Sequence, residues 1–318
     1  MTRLPALLLL AALALGTGAC PAFHAQPLPD APEDGRYLDL GDTHVHYEDT
    51  PPAPGVRPRG VVVLVHGFGA TLREWSGLVP VLAAAGWRAI AVDLRGHGWT
   101  SRPDGDYSLD GQAQLVVDLL DRLGVDRFAL VGHSWGSAVA LTITDKVPDR
   151  VRRVALYNGM FFRDQEPVIF AWSRVPALGE IIYGVFYSER VDEKLAFTFY
   201  DPEAWLTEDL VEGAEALQDR PGAAAAALAT IRALDLEALE PVYPTIRQPV
   251  LLLWGREDQV TPLVWGERLS NLLPDARLRV FPRCGHLPMV EAARPATREV
   301  LEFLYGDPET VAAPEAGR

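Results

Sequence analysis

The chain has 318 residues, 48% of them hydrophobic, and a formal net charge of −14. That hydrophobic share, with ordinary glycine and proline content, excludes a disordered or collagen-like chain and fits one large globular domain with an insertion, or two closely joined layers. The acidic balance argues against a nucleic-acid partner, because contacts to phosphate need a basic face.

The amino terminus has its own character. Met1-Thr2-Arg3 gives a positive start, Ala6 to Leu15 is an unbroken apolar run, and Gly16-Thr17-Gly18-Ala19 precede Cys20. The run is short for a bilayer span and reads as an export signal over residues 1–19, which places the protein outside a bacterial cytoplasm. Gly18-Ala19-Cys20 resembles the processing site of bacterial lipoproteins, although Thr17 stands where that pattern prefers an aliphatic residue. The resemblance implies lipid on Cys20 and attachment to a membrane; plain secretion is the alternative. A Cys20–Cys284 disulfide is the competing use of the two cysteines. Residues 20–35, rich in proline and small residues, suit a linker.

Arg36 to Leu40 and Thr43 to Tyr47 alternate around Gly41-Asp42, a hairpin signal. His44 and His46 share one strand face, where solvent-facing histidines are the plain reading and a metal site the other. Gly60 to Val65 is a continuous apolar run expected as a central strand. It ends in His66-Gly67-Phe68-Gly69, a turn that either leaves amides free to face a ligand or merely joins strand to helix. A helix is expected over Leu78 to Ala85 and a strand over Arg88 to Val92. In the loop Asp93 to Gly98, Asp93 and His97 are expected to fix the turn. Leu115 to Leu123 has helical spacing.

Phe128 to Val131 is another apolar strand, followed by Gly132-His133-Ser134-Trp135-Gly136 and a helix-like Ser137 to Leu141. A strand turning sharply into a helix strains the middle residue, and small neighbours two positions to either side let the two elements pass. That turn pushes the Ser134 hydroxyl out at the carboxyl end of the sheet and sets the Trp135 amide at a helix start, where negative charge is favoured. Val151 to Tyr157 is the next strand. Strand and helix thus alternate from residue 60 to 157, the pattern of a parallel sheet with helices on both faces.

Over residues 158–248 the alternation stops. Aromatics are frequent there, and Ala223 to Ala227 is the clearest helix former. The stretch reads as a helical cap inserted between two parts of the core, residues 36–157 and 249–305. Most of its aromatics are expected inside the cap, with a minority lining an apolar pocket. Pro249 to Gly255 restores the sheet pattern, with Arg256-Glu257-Asp258 in its exit loop. A helix over Val264 to Leu272, a strand over Arg277 to Phe281, the loop Cys284-Gly285-His286, and a helix over Val290 to Leu304 follow. Residues 306–318 are expected to form a frayed tail. No Cys/His cluster has metal-ligand spacing, and no cofactor is called for.

Ser134, Asp258 and His286 therefore each follow a parallel strand, and such a fold gathers strand ends at one edge. With His66-Gly67-Phe68-Gly69, Asp93-Leu94-Arg95-Gly96-His97-Gly98, Gly132-His133-Ser134-Trp135-Gly136, Gly255-Arg256-Glu257-Asp258 and Gly285-His286 in this order, the chain resembles the α/β-hydrolases over residues 36–305. The resemblance implies an α/β fold with a mostly parallel, doubly wound sheet and an inserted helical cap. It implies Ser134 as nucleophile, His286 as its base and Asp258 as the acid that orients the histidine. Glu257 is the rival for that last role, and His133 reads as packing. A serine hydroxyl needs such a base before it attacks. The amides of Phe68 and Trp135 would form the oxyanion hole, each donor worth about 3–4 kcal/mol in sites of this kind.

Serine at the elbow points to attack on an acyl carbon, whereas the haloalkane dehalogenases and epoxide hydrolases of this fold carry aspartate there. Hydrolysis of a small apolar carboxylic ester is the leading expectation. The alternative resembles the hydrolases that cleave a carbon–carbon bond in vinylogous diketones, against which export counts, since such substrates are handled inside cells. Proline iminopeptidases and cofactor-free perhydrolases share features of the elbow, and a slow or non-catalytic binding protein of this fold stands as a different class.

Overall fold

The structure, a computed structural model, describes residues 20–29 and 31–306. The export signal expected over residues 1–19 and the tail beyond Gly306 lie outside the described residues.

Valine, isoleucine and leucine runs form an eight-stranded sheet in the order β1-β2-β4-β3-β5-β6-β7-β8. β1 (Arg36–Leu40) and β2 (Thr43–Thr50) make the antiparallel edge hairpin. β3 (Gly60–Val65), β4 (Trp87–Val92), β5 (Phe128–His133), β6 (Val151–Tyr157), β7 (Val250–Gly255) and β8 (Ala276–Phe281) are parallel. Their side chains alternate between two buried clusters. Val63, Val65, Leu130, Leu156 and Leu252 face one layer, and Val62, Leu64, Val131, Leu251 and Leu253 face the other. A sheet buried on both sides needs continuous apolar strands, which β3, β5 and β7 supply, while β8 at the edge carries Arg277 and Arg279 and is only part-buried.

The chain leaves β3 for β4 on one side and then crosses to β5 on the other. The loops after β3 and β5 therefore diverge, and the crevice between them is where ligands collect in open parallel sheets. Helix α1 (Val79–Ala84) lies between β3 and β4. Helix α2 (Leu109–Arg122) begins where the Ser108 side chain accepts a hydrogen bond from Gly111 N at 3.1 Å, several residues before the expected start. It packs on α3 (Trp135–Lys146), the helix of the elbow.

Between β6 and β7 the chain forms short helices, α4 (Val168–Ser173), α5 (Leu178–Val185), α6 (Val191–Ala196), α7 (Pro202–Trp205), α8 (Glu208–Gln218) and α9 (Ala223–Ala233). Phe161, Phe162, Tyr183 and Phe199 are buried there, but Trp172, Phe186, Phe197, Tyr200 and Trp205 are exposed. The expectation that most aromatics fill the interior is corrected, because short helices packed on the domain from one side leave their outer faces in solvent. Helix α10 (Leu263–Leu272) follows β7. The expected last helix is broken into α11 (Pro288–Glu291) and α12 (Ala293–Tyr305) at Ala292, whose φ of −123° is not helical.

The segment before β1 is not a free tether where it is described. His24 and Arg102 exchange backbone hydrogen bonds at 2.8 Å, Leu28 is buried, and Phe23 stacks on Tyr107 with ring centroids 5.8 Å apart. Both cysteines are free, Cys20 exposed and Cys284 buried, so the disulfide is not formed. His46 is also corrected: it is buried, with Nδ1 2.7 Å from Asp93, while His44 sits at the surface 2.6 Å from Asp39.

Candidate active site

Ser134 has φ 51° and ψ −125°, a conformation that L-residues avoid, and it is held there from both sides. Its N–H donates to Tyr157 O at 2.9 Å, and its carbonyl accepts from Ser137 N and Met160 N at 3.0 and 3.1 Å. The flanking glycines are required by space. A Cβ on Gly136 would stand 2.2 Å from His66 O, and one on Gly132 would stand 2.8 Å from Gly136 O. Strand β3, strand β5 and helix α3 thus meet with no room for a methyl group.

The Phe68 and Trp135 amides donate to no protein atom among the described residues. Trp135 opens α3, where amides are unpaired by construction. The loop expected to hold the oxyanion is fixed by His66, whose Nδ1 lies 2.7 Å from Gly67 O while its Nε2 accepts from Leu94 N at 3.1 Å. The Phe68 ring meets Trp135, Phe170 and His97 edge-on at 6.3, 6.2 and 5.9 Å. Burial pushes the His97 imidazole down to about 3, so this aromatic group is uncharged at neutral pH.

Asp258 Oδ2 lies 3.0 Å from His286 Nδ1. Its Oδ1 accepts from Val260 N and Thr261 N at 2.8 and 3.0 Å, and its Oδ2 accepts from Asn158 Nδ2. The Thr261 hydroxyl stands 2.7 Å from Oδ2 and 3.0 Å from Asn158 O, and donates to one of them. Burial alone would raise this carboxyl, but the His286 charge and these hydrogen bonds outweigh it and hold Asp258 below the usual carboxylate range. Glu257 turns elsewhere, accepting from Cys284 N at 3.0 Å. Burial pushes the neighbouring Cys284 thiol far up and leaves it protonated.

The structure thus brings Asp258, after β7, and His286, after β8, into direct contact, with Ser134 at the end of β5, separated from β7 by β6. His133, next to Ser134, has its ring centroid 4.7 Å from that of His286. Ser134 Oγ and His286 form no hydrogen bond in this state, a contact that tightens in such sites when substrate binds. Ser134, Asp258 and His286 are 7%, 5% and 5% exposed, so the site is covered. Part of the cover is the loop before α7, where Thr198 O accepts from His286 N at 2.7 Å. Glu291 carries the same junction, accepting from Gly285 N and Tyr200 N, each at 2.8 Å.

The family profile of the alpha/beta hydrolase fold matches residues 60–293. The chain belongs to the α/β-hydrolase family. Among this α/β-hydrolase's relatives, a 2-hydroxy-6-oxo-2,4-heptadienoate hydrolase of Pseudomonas putida is 32% identical over 287 residues, covering 86% of this chain and 98% of that protein. A 2-hydroxymuconate semialdehyde hydrolase of a Pseudomonas species is 31% identical, covering 76% of this chain and 86% of its own. The solved meta-cleavage product hydrolase of Pseudomonas fluorescens superposes with a TM-score of 0.72 at 26% identity, over 85% of this chain and 97% of that one.

Asn158, Thr261, Glu74 and Glu291 escaped the sequence reading. Asn158 had a signal, since it directly follows a parallel strand as the other site residues do. Glu74 had none, because its partner His133 is far along the chain.

Proposed function

We propose that this hydrolase cleaves a carbon–carbon bond beside a ketone in a 2-hydroxy-6-oxo-dienoate, through an acyl-enzyme on Ser134. The observation that carries this reading is the likeness to carbon–carbon hydrolases along nearly their whole length, at 32% identity over 98% of one of them. It displaces ester hydrolysis as the leading reading.

The chemistry uses the residues in these roles. The dienol first shifts to its keto tautomer, which turns the carbon next to the 6-ketone into a leaving carbon. His286 takes the Ser134 proton as the hydroxyl attacks the ketone, and Asp258 steadies the imidazolium. The oxyanion is held by the Phe68 and Trp135 amides. Collapse breaks the carbon–carbon bond; its electron pair passes into the conjugated oxo-acid and His286 returns the proton. Water, deprotonated by His286, then releases the acyl group as a carboxylic acid. With 2-hydroxy-6-oxo-2,4-heptadienoate the products are acetate and 2-hydroxypenta-2,4-dienoate. Both should form with wild type and be absent with Ser134→Ala; a wild type that leaves this compound intact overturns the reading.

Ester hydrolysis is the second reading. It is favoured by the uncharged ring cluster of Phe68, His97, Trp135 and Phe170, which suits an apolar acyl group. Export and lipid on Cys20 are a separate proposal, supported by residues 1–20; Cys20→Ser should then move the protein from the membrane to the soluble fraction.

A further inference from the structure

Glu74 lies in the 3₁₀ turn Leu72–Trp75 that follows the oxyanion loop, and its two oxygens face different loops. Oε2 accepts from Gly67 N at 3.1 Å, and Oε1 lies 2.7 Å from His133 Nδ1. On the far side of the ring, His133 Nε2 lies 3.0 Å from the carbonyl oxygen of His286. Both side chains are buried, at 9% and 4% exposure. The loop also presses on the ring itself: a Cβ on Gly67 would come within 2.9 Å of His133 Nδ1.

The protons on this chain follow from what each atom is able to do. A carbonyl oxygen only accepts, so His133 Nε2 carries a hydrogen. The 2.7 Å contact between Glu74 Oε1 and Nδ1 is an ion-pair contact without hydrogen-bond alignment, and a bare ring nitrogen would repel a carboxylate oxygen that close, so Nδ1 carries a hydrogen as well. His133 is therefore an imidazolium between a carboxylate and a carbonyl. Glu74, His66, Asp258 and His286 are the titratable groups around the pair. Burial alone would lower His133, but the Glu74 carboxylate outweighs it and raises it. Burial alone would raise Glu74, and His133 brings it below its ordinary value.

We propose that Glu74 and His133 form a buried carboxylate–imidazolium bridge that positions the oxyanion loop and the His286 loop relative to each other across the elbow. Neither side chain meets the acyl group; both are positioning residues. The bridge joins three strand ends, with Gly67 after β3, His133 at the end of β5 and His286 after β8. Without the Glu74 charge, an unpaired buried imidazolium gives up a proton. A neutral ring donates from one nitrogen only, so one of the two loops loses its anchor. The Phe68 amide or the His286 ring then moves from its working place, and small misplacements of this kind cost rate steeply. The inference rests on the acyl-transfer reading of Ser134 and is independent of the substrate.

The test compares wild type, Glu74→Met, His133→Asn, the double variant and Ser134→Ala; methionine is used because a glutamine would accept from Gly67 N and donate to a neutral His133, keeping both anchors. Two quantities are read: the rate of covalent labelling by a serine-directed phosphonate, and the side-chain 15N spectrum of the histidines. Wild type should show, at pH 8, a histidine protonated on both ring nitrogens that is absent from Glu74→Met. Each single variant should label at least about tenfold more slowly, and the double variant no more slowly than the slower single, as expected of residues acting as one unit. A wild type with no doubly protonated histidine overturns the bridge whatever the variants do. Labelling of Glu74→Met within twofold of wild type overturns its positioning role. Should wild type and Ser134→Ala label alike, the acyl-transfer reading is what falls, and the histidine spectrum still decides the bridge.

Discussion

Asn158 donates its side-chain N–H to the Asp258 carboxylate from the end of a neighbouring strand, so the acid beside His286 is fixed by a residue outside the Ser-Asp-His set. The same amide group donates to Gly285 O at 3.1 Å, and its oxygen accepts from Gly255 N at 3.2 Å. One side chain thus ties the loops after β6, β7 and β8.

Asn158→Ala should therefore act on both stability and rate. The buried Asp258 oxygen keeps its Thr261 and His286 partners but loses one donor, a cost of about 1–3 kcal/mol. Urea unfolding should show that loss, and kcat should fall about tenfold or more with little change in KM, because His286 is oriented less tightly.

Gly136→Ala is expected to be far worse than an ordinary glycine-to-alanine change in a helix. The new methyl would have to displace the main chain at His66 O, 2.2 Å away, where no flexible side chain gives way. A loss of at least about 2 kcal/mol in denaturant unfolding is the expected outcome. Gly213→Ala, in α8 with nothing within 4 Å of the added carbon, is the control and should be neutral or slightly stabilising.

Acid should weaken the fold through His97. The folded state holds this imidazole at about 3 against an ordinary value of 6.5, so the unfolded chain binds a proton that the fold refuses. Its contribution is complete above pH 6.5 and is lost as pH falls toward 3. His133 works in the opposite sense: its raised value favours the fold below its unfolded value, and that contribution is lost as pH rises through the raised one. Denaturant midpoints measured from pH 7 down to pH 4 should fall less steeply in His97→Asn than in wild type.

The two cysteines should behave differently toward a thiol reagent. In native protein beginning at an unmodified Cys20, one thiol should react at pH 8, since Cys284 is buried and its thiol is held protonated. Unfolding should release the second. Two fast thiols in the native state would contradict the packing around His286.

The sheet was legible in the sequence because its signals are local. Apolar runs such as Gly60 to Val65, Phe128 to Val131 and Pro249 to Gly255, each followed by a turn, are readable without knowing what they touch, and Ser134, Asp258 and His286 each follow an expected strand. Relationships between distant residues were not readable. Nothing near Glu74 announces His133, and His46 looks like any alternating strand residue until β2 pairs with β4 and sets it against Asp93. The exposed aromatics between β6 and β7 show the same limit. Composition reveals that Trp172 and Phe186 are apolar, while only the docking of short helices decides which face they occupy.

The most direct test of the account is the ratio of two specificity constants for the wild-type enzyme. The kcat/KM for 2-hydroxy-6-oxo-2,4-heptadienoate is set against the best value in a p-nitrophenyl ester series from acetate to laurate, with Ser134→Ala as control for both. Carbon–carbon cleavage at Ser134 predicts a dienoate value at least about a hundredfold higher, equivalent to roughly 3 kcal/mol of selective transition-state binding, and loss of both activities in the variant. An ester value that exceeds the dienoate value would contradict carbon–carbon cleavage and restore ester hydrolysis at the same serine. Dienoate turnover that survives Ser134→Ala would contradict the acyl-enzyme itself.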